Sequence, residues 1–231
     1  MIKSDSSKPV QERSRRSAQR IVGATEKVLD LHGYTEFSMA SVSAGSGMSI
    51  GALYSHFANK EALLREVKND VLTRLELKLE ERLQISADSV ESTISAFVTE
   101  LSGALTEQRK LFAFIFAQSV HDAEMRRRGF LFHQRLKTTL RHSLLLNHPG
   151  GDKESGRSVD FVYELMVQSL LMRATSLGTV TEAELVYDGF PNPAVYEREL
   201  IQTVTAYLLG RVPPRKTSAS GEIHEPNPNH L

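Results

Sequence analysis

The sequence predicts an all-α protein, and three observations carry that reading. No proline interrupts the chain between Pro9 and Pro149, so nothing in that span removes a backbone donor from a helix interior. Apolar residues recur three and four apart, as in Leu63, Leu64, Val67, Val71, Leu72, Leu75, Leu79 and Leu83, which puts them on one helical stripe. No stretch shows the sustained apolar–polar alternation of a half-buried strand.

The elements follow in order. From Arg15, the residues Ile21, Ala24, Thr25, Val28, Leu29 and Leu31 mark a first helix, and Gly33 ends it as a C-terminal glycine does. Ser38 is an N-cap for a short second helix reaching about Gly45. Ser46-Gly47-Met48 forms a turn, and Ser49 caps a third helix to about Phe57. Asn59 caps the long fourth, whose outer side carries Glu61 with Arg65 and Asp70 with Arg74, acid before base and four apart. Helices are expected over about 88–106, 109–120, 123–146, 156–178 and 193–210, about nine in all, with loops at 148–152 and 188–193.

Composition narrows the class. The 231 residues include 28 basic and 28 acidic ones, so the distribution of charge matters and its sum does not. Cysteine is absent, which excludes disulfides, thiolate metal sites and cysteine nucleophiles. No apolar run approaches the roughly 20 residues of a membrane helix, and the first twenty residues lack a signal-peptide core. The expectation is a soluble cytoplasmic protein with no membrane partner. Its organisation reads as a disordered basic arm over 1–14, one domain over 15–64, a second over 65–211, and a disordered proline-rich tail over 212–231.

The stretch SVSAGSGMSIGALYSHFANKEAL, residues 41–63, concentrates the functional signal. Gly45, Gly47 and Gly51 fall one residue off a dinucleotide-binding fingerprint. That fingerprint needs a preceding strand and a parallel sheet, and neither is predicted. A helix-turn-helix asks different things of the same residues. Two short helices crossing steeply need a glycine in their turn, and Gly47 is there. A helix entering the major groove needs small residues on its leading face, which Ser49, Gly51 and Ala52 supply. Leu53 and Phe57, four apart, anchor its other face.

Residues 15–64 resemble the DNA-binding domain of TetR-family transcription regulators. The matching elements are the Gly33-Tyr34 helix end, the Ser38 cap, the Gly47-Met48-Ser49 turn, Gly51 to Phe57, and the Asn59 to Leu64 opening of helix four. The resemblance implies that Ser49 caps the recognition helix and meets a phosphate. It implies that Ile50, Gly51 and Ala52 meet base edges and that Ser55 hydrogen-bonds a base with short reach. Tyr54 and His56 would hold the phosphate backbone, with packing against the first helix as the alternative for each. Ser38 and Lys60 would touch phosphates, Lys60 being otherwise a solvated charge. Arg13, Arg15, Arg16 and Arg20 would belong to an arm reaching the minor groove or phosphates, or to a solvated basic end. One departure stands out: the second helix reads Ser41-Val42-Ser43-Ala44-Gly45-Ser46, and Gly45 costs it about 1 kcal/mol relative to alanine, which predicts a soft helix.

Beyond helix four, the family resemblance implies helices that enclose a small apolar ligand. Phe97, Phe112, Phe116, His121, Phe132 and Met166 are the candidate ligand contacts, with a plain packed core as the alternative. His133, His142 and Arg173 are further polar candidates, Arg173 having a rival pairing with Glu164 or a partner carboxylate. Residues 159–172 are apolar nearly all round, so that helix needs cover on both sides. Together with the stripe Val195, Leu200, Ile201, Val204 and Leu208, the resemblance implies a homodimer through these two helices. Arg126-Arg127-Arg128 reads as a solvated basic face. No H-E-x-x-H spacing, Ser-His-Asp set or carboxylate pair can be defended, so no enzyme activity, metal or cofactor is expected. The function expected is a repressor on double-stranded DNA, binding a pseudo-palindromic operator as a homodimer and released by its ligand. The alternative is a helical protein that binds or sequesters a small molecule without DNA.

Overall fold

A computed structural model describes residues 7–146, 153–177 and 192–210. The expected loop at 148–152, most of that at 188–193, the tail beyond Val212 and the first six residues lie outside the described residues. Among the described residues the chain is all-helical. The nine α-helices among the described residues are α1 (Ser7–His32), α2 (Met39–Ser46), α3 (Ile50–His56), α4 (Lys60–Ile85), α5 (Val90–Glu107), α6 (Arg109–Phe116), α7 (Ala123–Leu146), α8 (Lys153–Met172) and α9 (Pro193–Leu208). A 3₁₀ turn, Gln118–His121, joins α6 to α7, and a π turn, Arg173–Leu177, ends α8.

Helix boundaries fall where the capping chemistry puts them. Gly33 (φ 75°) ends α1, its N–H donating to Leu29 O at 2.8 Å. Ser49, Asn59, Ser89 and Asn192 each accept a backbone N–H with their side chains at the N-termini of α3, α4, α5 and α9. Two expectations shift. Residues 7–14, expected as disordered arm, form the start of α1. Pro9 sits in the first turn, where its missing N–H leaves no helical bond unmade, and Glu12 pairs with Arg16 one turn on. The helix expected to reach residue 120 ends at Phe116, and its last residues tighten into the 3₁₀ turn.

The soft second helix forms in full. Ser38 and Ser41 make a reciprocal capping box, Ser38 Oγ accepting from Ser41 N and Ser41 Oγ accepting from Ser38 N, both at 3.1 Å. At the other end, Gly47 takes the left-handed conformation (φ 66°) and donates to Ser43 O, while Arg20 Nη2 donates to Ser46 O at 2.8 Å. Capping at both ends compensates for a weak interior.

Two cores merge along α4. Ile21, Leu29, Val42, Leu53 and Leu63 are fully buried in the N-terminal unit, and Leu72, Leu79, Phe97, Phe132 and Met166 in the C-terminal one. At 26 residues, α4 runs about 39 Å and is the helix shared by both.

The two glycines of α2 separate strain from space. A Cβ on Gly45 would meet Ala24 Cβ at 3.8 Å and Val28 Cγ2 at 4.0 Å, an ordinary contact in a helix interior. Gly45→Ala is expected to stabilise by about 0.5–1 kcal/mol. Gly47→Ala also has room, but must adopt a left-handed backbone and is expected to destabilise by about 1–2 kcal/mol. Thermal unfolding followed by circular dichroism checks both, and shifts of the same sign would refute the assignment.

Candidate nucleic-acid interface

The second and third helices form a helix-turn-helix whose outer helix is presented to solvent. Leu53 is fully buried and Phe57 packs half-buried on the core, so α3 is held by its inner face. Ser49, Ile50, Gly51, Tyr54 and Ser55 are exposed, with Ala52 and His56 half-exposed beside them. Ser49 Oγ accepts from Ala52 N at 3.2 Å, which leaves its hydroxyl proton to donate outward. Ser55 Oγ donates to Ala52 O at 2.7 Å, so in this rotamer only its lone pairs face a base. Ser38 lies exposed at the start of α2 with its oxygen engaged in the capping box.

Several basic residues have partners that the sequence did not reveal. Arg13 and Arg15 are exposed on helical backbone, as is Arg16, which pairs with Glu12. Arg20 caps α2. Lys60 is half-buried: its Nζ donates to Phe37 O at 3.4 Å and lies 4.7 Å and 4.9 Å from the Phe37 and Tyr34 ring centroids. Arg65 does not serve the expected pair with Glu61. It crosses to α7, donating to Asp122 Oδ2 through Nε at 2.9 Å and Nη2 at 2.7 Å.

That crossing begins a polar seam between α4 and α7. Arg128, expected on a solvated face, donates to Glu76 Oε1 at 2.8 Å, Asn69 Oδ1 at 2.9 Å and Thr73 Oγ1 at 3.1 Å. Glu76 is buried and also lies 3.6 Å from Arg135. Lys68 is buried too, its Nζ donating to Ile115 O at the end of α6 at 2.8 Å. The signal for Lys68 and Glu76 was legible: both interrupt the apolar stripe, four residues after Leu64 and Leu72 respectively.

In the C-terminal unit, Phe97, Phe112, Phe132 and Met166 are buried and Phe116 is half-buried. Phe112–Phe116 and Phe116–Phe132 stack or tilt at 6.0 Å between centroids, and Phe97 meets Tyr163 at 6.1 Å. These rings pack against one another as core. His121 is exposed on the 3₁₀ turn before α7. His142 is exposed as well. The Arg173 guanidinium lies 4.3 Å from the Tyr196 ring centre on α9. An open cleft of about 830 Å³ lies between α7 and α8, with His133 and Tyr163 among its walls. Among the described residues no cluster of three or more His, Cys, Asp or Glu is placed to hold a metal ion, and no helix is long and apolar enough to cross a membrane.

Residues 21–67, which contain this helix-turn-helix, match the model of the tetR family of bacterial regulatory proteins. The chain is 29% identical over 112 residues to the HTH-type transcriptional regulator BetI of Vibrio atlanticus, covering 47% of this chain and 56% of that one. It is 31% identical over 88 residues to the HTH-type transcriptional repressor ComR of Escherichia coli, covering 37% and 42%. The chain thus matches about half the length of these curated relatives. A structure described as a TetR-family transcriptional regulator from Mesorhizobium loti shares the fold with a TM-score of 0.65 at 17% identity, covering 86% of this chain and 96% of that one. The regulator FadR of Bacillus subtilis, solved with stearoyl-CoA, does so with a TM-score of 0.62 at 13% identity, covering 82% and 98%. The family match thus covers residues 21–67, and the likeness to these solved structures shows a shared fold.

The buried ammonium of the seam makes stability depend on pH. Burial pushes Lys68 from 10.5 down to about 8; nearby Arg128 adds to this and Asp122 opposes it. Below about pH 8 the group is charged in folded and unfolded chains alike. Between pH 8 and 10.5 the unfolded chain holds a proton that the folded chain has released, so this residue's contribution to stability rises with pH. Urea unfolding of wild type against Lys68→Met is expected to move in favour of wild type by about 2 kcal/mol from pH 7 to pH 10. A difference that does not change with pH would contradict the burial.

Proposed function

We propose that the protein is a DNA-binding transcriptional repressor, acting as a homodimer on a pseudo-palindromic operator and released by a small ligand. The observation that supports DNA reading most directly is α3. Its buried Leu53 fixes the helix, and its exposed face offers Ile50, Gly51, Tyr54 and Ser55 beside the capped N-terminus at Ser49. Such a face suits the major groove, and the N-terminal N–H groups suit a phosphate. Ile50 and Ala52 would meet thymine methyls, while Tyr54, His56 and Ser38 would hold the backbone. Lys60 would contribute a cation near the groove rim, steadied by the Tyr34 and Phe37 rings. Arg13, Arg15 and Arg16 would extend this basic surface along α1 as helix, not as an unstructured arm.

The dimer reading is supported by an exposed apolar stripe. Phe161, Leu165 and Met172 of α8 and Tyr207 of α9 are 55%, 38%, 64% and 42% exposed, and Phe161 meets Tyr207 at 5.5 Å between centroids. A patch shared by two neighbouring helices is the kind of surface that a second subunit covers. Two copies would set two α3 helices on half-sites about 34 Å apart. The ligand response is supported by the seam, since α4 joins the reading head to α6 and α7. A ligand acts only if it binds the released arrangement better than the DNA-competent one. The rings of Phe97, Phe112, Phe116 and Phe132, with Met166, would line its site if they part to admit it.

Selection from a random duplex pool at moderate salt is expected to enrich an inverted repeat. Tyr54→Phe should weaken binding to all duplexes by a similar factor, about fivefold for one lost phosphate hydrogen bond. Ser55→Ala should instead change preference at one base position, by about 1 kcal/mol. Fluorescence anisotropy on the enriched duplex and its single-base variants checks both, and binding untouched by either change rules out α3 as the reading helix.

A further inference from the structure

The cleft between α7 and α8 carries chemistry that the packed aromatic core does not. Contacts across it fix an antiparallel register: Arg141 lies 3.5 Å from Asp160, Lys137 lies 3.6 Å from Glu164, and His133 meets Tyr163. Polarity is graded along that register. The charged pairs occupy one end, and Phe130, Val167 and Leu171 line the other beside the uncharged amides of Gln134 and Gln168. From Asp160 to Leu171 the helix rises about 16 Å, the length of a medium alkyl chain with its head group.

The middle of the cleft has a defined hydrogen-bonding sense. Tyr163 Oη donates its single proton to His133 O at 2.9 Å. Its 3.1 Å contact with His133 Nδ1 therefore needs the proton on Nδ1. Burial holds His133 below its ordinary value, with Glu164 opposing this and Lys68 adding to it, which favours the neutral ring that this geometry describes. The Nε2 atom is then left as an acceptor. Glu164 is half-exposed, and its contact with Lys137 is long, a pairing worth little in solvent. Phe130, 60% exposed, offers an open ring on the α7 wall at the apolar end.

We propose that this cleft binds an amphiphile with a hydrogen-bond-donating cationic head, a primary or secondary alkylamine. The ammonium displaces Lys137 from Glu164 and donates to His133 Nε2, and the alkyl chain runs over Val167 and Leu171 toward Phe130. An anionic head fits less well, because Lys137 already serves both Asp160 and Glu164 and Arg141 serves Asp160. The cleft residues of α8 lie one position before the exposed stripe Phe161, Leu165 and Met172, so the site borders the proposed dimer face without using it. This deepens the proposed ligand response and rests on that reading only for its effect on DNA.

Calorimetry on the full chain without DNA, at pH 7.5, tests the site with n-octylamine, n-octanoate and n-octanol. Octylamine is expected to bind at least tenfold more tightly than either. Affinity should rise about threefold to fourfold per methylene from hexylamine to decylamine. Glu164→Gln should cost the amine about tenfold and leave octanol unchanged, while Phe130→Ser should flatten the chain-length dependence. Both side chains are largely exposed, and circular dichroism confirms that each variant is folded. Octanoate binding as well as the amine, no saturable amine binding, or equal amine affinity in Glu164→Gln overturns the proposal. Release of the enriched duplex by octylamine is read separately, so the site and the ligand response fail independently.

Discussion

The Glu76 carboxylate lies buried on α4 with Arg128 at 2.8 Å and Arg135 at 3.6 Å, both from α7. A carboxylate removed from water and deprived of these partners would cost several kcal/mol. Sliding α4 against α7 by one turn separates that charge from Arg128 and removes the Asn69 and Thr73 contacts of the same guanidinium. Lys68 imposes the same condition one pair of turns earlier, since its ammonium must find Ile115 O at the end of α6. Apolar packing alone tolerates small slips, because leucines four apart are interchangeable. These polar contacts are not interchangeable, and they set one register for the helix that carries the N-terminal head.

The head itself is fastened to the body through the end of α1 as well. Tyr34 stacks on Phe114 at 5.4 Å, Lys110 donates to Leu31 O at 2.7 Å, and Gln108 donates to Glu26 at 3.1 Å. Arg74 of α4 reaches the same Glu26. The α5–α6 junction therefore touches both helices that leave the head, α1 directly and α4 through Glu26. Because Phe112 and Phe116 share α6 with Phe114 and Ile115, a shift of the aromatic core acts on Tyr34 and Lys68 together.

Most of the architecture was legible in the sequence because it rests on local chemistry. Ser38, Ser49, Asn59 and Gly33 declare helix ends through bonds spanning three or four residues. Leu53 and Phe57 declare the inner face of α3 by spacing alone. What stayed hidden depends on residues far apart in the chain. Arg128 reads as part of a basic run, and only the fold brings it to Glu76, fifty-two residues away. Arg65 has a local acid four residues before it, yet Asp122 Oδ2 accepts from both Nε and Nη2 of its guanidinium, and Met125 N holds the other carboxylate oxygen in place. Local caution also misled at Gly45, whose intrinsic cost is real but is offset by the Ser38–Ser41 box and the Arg20 cap.

The C-terminal unit shows the same division in another form. Aromatic composition pointed to Phe97, Phe112, Phe116 and Phe132, and the fold brings those rings together. It sets Phe112 and Phe132 against Phe116, and Phe97 against Tyr163, which is how apolar groups of good shape close a space. Space persists instead where charged side chains face across two helices, because Lys137, Arg141, Asp160 and Glu164 keep their heads in solvent and cannot pack down. His133 joins the two environments, with its ring 5.9 Å from Phe132 on one side and Tyr163 on the other. A group bound in the cleft at His133 thus presses directly on the aromatic core and, through Phe116, on α6.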